Sequence, residues 1–179
     1  LAHLVARHLP ESDRLLAIGC GSGLHLEAHE ETDFRISWNY TGADASEAML
    51  GIAKSKFAPY HQWRLWDVTT IPEKDGAFDT VVSFCVLPHL PDIVPALREI
   101  LRVAKYTVIV TLWDGVTHRG TETFKGVEFT HWLHAESDVR VLLANLGFRD
   151  IETFSFVDRG VRAYVIHKRR RSPRHTVIL

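Results

Sequence analysis

Leu15-Leu16-Ala17-Ile18-Gly19-Cys20-Gly21-Ser22-Gly23-Leu24 decides how the rest of the chain is read. Four apolar residues run into three glycines at alternate positions. The run has the length of a short buried strand, and the glycines mark a tight turn into a helix that starts near Leu24. Glycine serves where the backbone takes a positive φ or lies close against a ligand. The start of a helix points free N–H groups at whatever sits over the turn. The stretch reads as a strand–loop–helix cradle for a nucleotide-like cofactor, with a plain tight turn as the competing reading.

Strands and helices alternate along the rest of the chain. A helix is expected from Leu24 to Glu31, then a strand Tyr40–Asp44 that ends in an acid. Ser46 can cap a helix carrying Met49, Leu50, Ile52 and Ala53. Asp44 lies about 20 residues past the glycines at a strand's end, where a carboxylate can hold a ribose diol by two hydrogen bonds; a loop acid beside a helix cap is the plainer alternative. Trp63–Val68 reads as a third strand that ends at Asp67. Phe78–Phe84 is β-branched and apolar, a fourth strand, and the loop Cys85–Leu90 comes after it. Asp92 caps a helix with Ile93, Ala96, Leu97, Ile100 and Leu101 on one face. Tyr106–Trp113 is a fifth strand. Ser137–Leu146 is a helix stopped by Gly147. Phe148–Val157 and Val161–Lys168 form a closing hairpin around Asp158-Arg159-Gly160.

The glycine spacing is G-x-G-x-G and not the dinucleotide G-x-G-x-x-G, whose third glycine would stand at Leu24. Together with Gly42-Ala43-Asp44-Ala45-Ser46-Glu47-Ala48-Met49-Leu50, with Phe78-Asp79 opening the fourth strand, and with the order of elements, it resembles the class I S-adenosylmethionine-dependent methyltransferases over roughly Leu15 to Lys168. The resemblance implies an α/β fold: a Rossmann-like doubly wound seven-stranded sheet, mostly parallel, with an antiparallel C-terminal hairpin. It implies S-adenosyl-L-methionine as cofactor, held by Gly19, Cys20, Gly21 and Gly23. Asp44 and Ala45 would take the ribose, and Met49 would begin the wall beside the adenine. Asp67 would accept from the adenine amino group, with Trp66 or Val68 against the ring, a surface acid after an edge strand being the alternative; Phe84 and Cys85 would lie at the sulfonium end. His89 stands where many relatives place a residue near the transferred methyl; a surface histidine is the alternative. Asp114–His134, rich in threonine and glycine, is expected to be an irregular loop beside the substrate pocket.

Three features depart from the family pattern. The acid usual two residues before the first glycine is replaced by Ala17. The Pro-Gly-Gly turn before the fifth strand is replaced by Val103-Ala104-Lys105. Only one short helix, Leu1–Leu9 ended by Pro10, precedes the glycine loop, so a lid is expected to be missing, truncated or supplied from elsewhere. The chain begins at Leu1 without a methionine, as a fragment or a processed chain would.

The 179 residues fit one domain of ordinary size. At 46% hydrophobic and 24% charged the composition is globular, and a net charge of −1 gives no sign of nucleic-acid or membrane binding. Two cysteines, Cys20 and Cys85, make no C-x-x-C and read as reduced thiols in a cytoplasmic protein. No run approaches the roughly 20 apolar residues of a membrane span. The histidines and cysteines show no ligand spacing for zinc, and no metal is expected. Residues 1–168 are expected to form the single domain, and 169–179 a basic tail, which is either a solvated terminus or a phosphate contact. The expected activity is methyl transfer to a small-molecule acceptor. A non-catalytic cofactor-binding partner or regulatory domain, and an RNA or protein methyltransferase, are the alternatives.

Overall fold

In the computed structural model, which describes residues 14–24, 26, 39–57, 61–124, 126–157 and 160–168, the first apolar run is β1 (Leu15–Ile18), buried at every residue. Burial on both faces is what a central parallel strand requires. β1 lies between β2 (Tyr40–Asp44) and β4 (Phe78–Ser83) and is parallel to both. β3 (Gln62–Leu65) adds to the outer side of β2, and β5 (Ala104–Asp114) to the outer side of β4, again parallel. β9 (Val161–His167) runs antiparallel along β5, and β8 (Ile151–Phe156) antiparallel along β9.

The strands' alternation sends side chains into two cores. Leu16, Ile18, Val81, Val108 and Val110 share one with α2 (Val94–Val103) and α3 (Glu136–Asn145), through Leu97, Ile100, Val139 and Leu143. Leu15, Ala17, Val82 and Ile109 face the other, where Leu50 and Phe57 of α1 (Glu47–Phe57) pack. Leu97 and Ile100 are fully buried, and each such side chain stabilises the fold by about 1.5–3 kcal/mol. Ser46 caps α1 as expected, whereas the residue flanking the start of α2 is Ile93, which makes no side-chain cap, and Asp92 bonds from one residue further out. Ser46 Oγ accepts from the Met49 N–H at 3.3 Å and Asp92 Oδ1 from the Val94 N–H at 2.9 Å. After α3, Gly147 takes φ 92.

Between Trp66 and Ala77 no helix forms, and the segment is latched by one side chain. Arg102 Nη2 donates to the Ile71 carbonyl at 2.8 Å and Nη1 to the Glu73 carbonyl at 2.6 Å. Its other face is held by Glu99 at 2.7 Å and Asp75 at 3.0 Å, while Glu99 Oε2 also accepts from the Ile71 N–H.

Among the described residues the sheet has nine strands, two more than expected. The expected seven are present in the order β3-β2-β1-β4-β5-β9-β8. The excess is a hairpin, β6 (His118–Phe124) and β7 (Val127–His134), where the sequence suggested an irregular loop. Threonine and glycine read as loop signals in that stretch, although Val127–His134 alternates in a strand's period of two. β5 outruns β4, and its last residues, Trp113 and Asp114, pair with Leu133 and His134 of β7. The hairpin thus extends the sheet beyond the end of β4. A second correction is that β3 stops at Leu65; Asp67 and Thr70 bridge a tight turn instead of continuing the strand. The helix expected over Leu1–Leu9, most of that over Leu24–Glu31, the turn residues Asp158 and Arg159, and the tail 169–179 lie outside the described residues.

Candidate cofactor and acceptor site

The glycine loop is tied to β2 before any ligand is considered. The N–H groups of Gly19 and Cys20 both donate to the Ala43 carbonyl, at 2.7 and 3.0 Å. The Gly21 N–H donates to Asp44 Oδ2 at 2.7 Å, and the Ser46 N–H to Oδ1 at 2.8 Å. One carboxylate therefore links the loop to the start of α1 by short charge-assisted bonds. Each carboxylate oxygen keeps a further lone pair.

All three loop glycines have positive φ, but their surroundings differ. A Cβ on Gly19 would stand 2.0 Å from Val86 Cγ2, so this glycine also permits the close approach of the β4 loop. A Cβ on Gly21 would meet nothing within 4 Å. That is the open side of the loop, with Asp44 beside it. The Cys20 side chain points into the core, and burial, with the Asp44 charge second, pushes its thiol up to about 12. Cys20 offers the site only backbone.

The structure brings Gly19, Cys20, Gly21, Gly23, Asp44, Ala45 and Met49 together through these bonds and the α1 cap. The Trp66 N–H donates to the Asp44 carbonyl at 3.1 Å, which carries the chain from β3 past the same corner. Asp67 is exposed, and its Oδ1 accepts from the Thr69 N–H and hydroxyl, both at 2.7 Å. These bonds hold its carboxyl below the ordinary carboxylate range. Oδ2 has no hydrogen-bond partner among the described residues. Val68 is 7% exposed and packs in the core, so its side chain is no wall for a purine, a correction to the sequence reading. Ala17 is 3% exposed between Gly42 and Val82, and no carboxylate stands at that position.

At the far end, Cys85 is the only non-glycine residue with positive φ among the described residues, at 56°. Such backbone is rare outside glycine and concentrates at ligand sites. It is held by the Cys85 N–H donating to Thr111 Oγ1 at 2.8 Å. His89 closes the 3-10 turn Leu87–His89, exposed, its ring centroid 5.4 Å from that of Trp113. Thr111, Trp113, Phe129 and His131 escape a reading of the sequence. The period-two pattern of Val127–His134 is the signal available for β7; its contact with His89 carries none.

The arrangement fits a nucleoside. An open glycine loop, an acid with spare lone pairs beside it and a second acid past the next strand stand at the carboxyl ends of parallel strands, where such sheets bind ligands. No group of three or more His, Cys, Asp or Glu side chains among the described residues converges on a metal site, and no described helix is long and apolar enough to cross a membrane.

A family profile described as "Methyltransferase domain" matches residues 16–111. The chain is 32% identical over 103 residues to YqeM of Bacillus subtilis, covering 54% of this chain and 40% of that protein. It is 35% identical over 86 residues to a ubiquinone biosynthesis O-methyltransferase of Sinorhizobium medicae, covering 46% of this chain and 33% of that protein. The matches thus span well under half the length of these relatives. Among solved structures, an S-adenosylmethionine-dependent methyltransferase from Methanosarcina mazei superposes with a TM-score of 0.72 at 18% identity, covering 92% of this chain and 96% of that one.

Proposed function

The chain belongs to the methyltransferase-domain family of S-adenosylmethionine-dependent enzymes, and from that premise we propose that it methylates a small-molecule acceptor. The observation that supports this is the short bond from Gly21 N–H to the Asp44 carboxylate, which holds beside the glycine loop an acid of the kind that can take a ribose diol. When bound, the cofactor's sulfonium supplies an electrophilic methyl carbon. The chain's own work is then alignment and, for some acceptors, removal of a proton.

In this reading Gly19, Gly21 and Gly23 let backbone approach the cofactor, and Asp44 and Ala45 hold the ribose. Met49 and Trp66 flank the adenine, while Asp67 and the Val68 N–H read its edge. The backbone of Phe84 and Cys85 lies along the methionine end. Carbonyls near Gly19 and Phe84 take over from the missing acid at Ala17, and His89 accepts the acceptor's proton. Residues 1–168 act as one cytoplasmic domain, and the near-neutral chain does not use nucleic acid. The name of the Sinorhizobium relative supports oxygen as the methylated atom.

Calorimetry with S-adenosylhomocysteine and with NAD tests the reading. Binding of the first and not the second is expected; no binding of the first ends it. Ala17 favours one other reading, a cofactor-binding partner without activity. Cofactor binding with no transfer to any of a broad acceptor panel would select it.

A further inference from the structure

Past Cys85, at the carboxyl ends of β4 and β5, four rings come together. His89 stands after β4, Trp113 near the end of β5, and Phe129 and His131 on β7. Their centroids lie 5.4 Å apart for His89–Trp113, 6.0 Å for His89–Phe129, 6.3 Å for Trp113–Phe129 and 4.7 Å for Trp113–His131. All four pairs meet edge to face, the geometry aromatic quadrupoles prefer.

The cluster is anchored inside and open outside. His131 is 5% exposed, and its ring lies over Gly120 of β6, where a Cβ would come within 2.5 Å of Nε2. The absence of a side chain at Gly120 lets His131 press against Trp113. His89 is exposed, and Trp113 and Phe129 are half-buried. Asp114, next to Trp113, is drawn away by Arg162 at 2.6 Å. At the carboxyl ends of the parallel strands the cluster thus presents partly exposed aromatic surface with one exposed imidazole.

We propose that this cluster is the acceptor platform and that the acceptor is a planar aromatic ring bearing a hydroxyl, a phenol. The inference rests on reading the chain as a methyltransferase. Ring walls select a flat, apolar ring, since well-placed aromatic pairs add affinity beyond their buried area. Imidazole is the side chain that exchanges protons near neutral pH, and a phenol, with a pKa of about 10, is within its range where an aliphatic alcohol is not. The phenolic proton passes to the unprotonated nitrogen of His89. The oxygen's electron pair forms the new bond to the methyl carbon as the carbon–sulfur bond breaks, its pair going to sulfur. The products are an aryl methyl ether, S-adenosylhomocysteine and a proton that His89 releases to water. Trp113 and Phe129 are the specificity-determining walls, and His131 is a positioning residue acting through Trp113.

The test measures binding of catechol and of its saturated counterpart, trans-1,2-cyclohexanediol, to the intact chain saturated with S-adenosylhomocysteine, by ligand-observed NMR titration. Catechol is expected to bind at least tenfold tighter. Phe129→Ala should remove most of that preference, and the volume-conserving Phe129→Leu should reduce it, with S-adenosylhomocysteine affinity unchanged in both. Gly120→Val, which displaces His131, should act in the same direction. Equal binding of the two probes, or a catechol preference that survives in a folded Phe129→Leu chain, overturns the platform. Failure of the wild type to bind S-adenosylhomocysteine overturns the methyltransferase reading instead, and the two results are distinguishable in one experiment.

Discussion

Two glycines of one loop, Gly19 and Gly21, do different jobs, and single substitutions separate them. At Gly19 an alanine methyl meets Val86 at 2.0 Å and the residue sits at φ 72, so Gly19→Ala is expected to lower the melting temperature sharply. At Gly21 the same change meets nothing within 4 Å; only the left-handed backbone is penalised, by about 1–2 kcal/mol. Gly21→Ala should therefore stay folded yet lose S-adenosylhomocysteine affinity, because its methyl occupies the open side of the loop. A folded Gly21→Ala chain with wild-type affinity would show that the cofactor lies elsewhere. Asp44→Asn turns one acceptor oxygen into a donor facing the N–H of Gly21 or Ser46, so it tests the tie of the loop to α1 together with the ribose contact. Hydrogen bonds to a charged acceptor are worth about 1.5–3 kcal/mol, so the dissociation constant should rise roughly ten- to hundredfold. An affinity unchanged beside a native melting curve would place the ribose on other residues. Ala17→Asp sets two effects against each other. The buried site penalises a carboxylate in the ligand-free chain, while an ammonium brought by the cofactor would offset it. Melting should fall without ligand, and S-adenosylhomocysteine should restore more of it than it adds to the wild type. A drop that the ligand does not recover would mean that the amino group is held away from β1.

Among the elements, the segment Trp66–Ala77 depends on α2. Arg102 bonds two carbonyls and two carboxylates there, and Arg102→Ala would remove the side-chain donor to the Glu73 carbonyl and one of the two donors to the Ile71 carbonyl, which keeps the Glu73 N–H at 2.7 Å. Unmaking such bonds costs about 1–3 kcal/mol, so a fall of several degrees in melting temperature is expected. Because this segment carries Asp67, cofactor affinity should weaken as well; native melting in the variant would refute the latch. Elements also show how much was legible in the chain. β1, β2, β4, β5 and the closing β8–β9 pair announce themselves by apolar or alternating runs between turn residues, and the glycine loop and Asp44 by spacing alone. Those features are local. β6 and β7 were hidden because His118–His134 mixes strand formers with Gly120 and Gly126. Nothing in the chain says that Gly120 is a seat for a ring and that Gly126, at φ 79, is a hairpin turn. The ring cluster was out of reach for a different reason. His89, Trp113 and Phe129 meet only because β5 outruns β4 and pairs with β7, a tertiary event that no periodicity encodes.

For the molecule as a whole, charge is close to balanced, so its response to pH comes from particular groups and not from net repulsion. Glu99 is held below its ordinary range by its hydrogen bond from Arg102, and Glu136 by its bond from Arg140, with Arg162 at 2.7 Å on its other oxygen. Folded values below unfolded ones mean that these carboxylates contribute stability above about pH 4.5, their ordinary value, and lose it as pH falls through the depressed folded value. That is the acid limb. His134 adds a second one nearer neutrality. Burial lowers its pKa from 6.5, with Asp138 opposing, and its Nε2 has no hydrogen-bond partner among the described residues. The folded chain keeps this imidazole neutral at pH values where the unfolded chain protonates it. The unfolded state then binds the extra proton, and stability falls as pH drops from about 7 through 6.5 toward the lowered folded value. Because β7 carries His134 beside the pairing with Asp114, that loss falls on the hairpin that extends the sheet. Melting curves from pH 8 to 3.5 should show two descents, one beginning just below neutrality and a steeper one below about pH 4.5. His134→Gln removes the first descent and leaves the second. An unchanged slope between pH 7 and 5.5 in that variant would show that His134 titrates alike in the folded and unfolded chains, and that the packing of β7 does not exclude its charge.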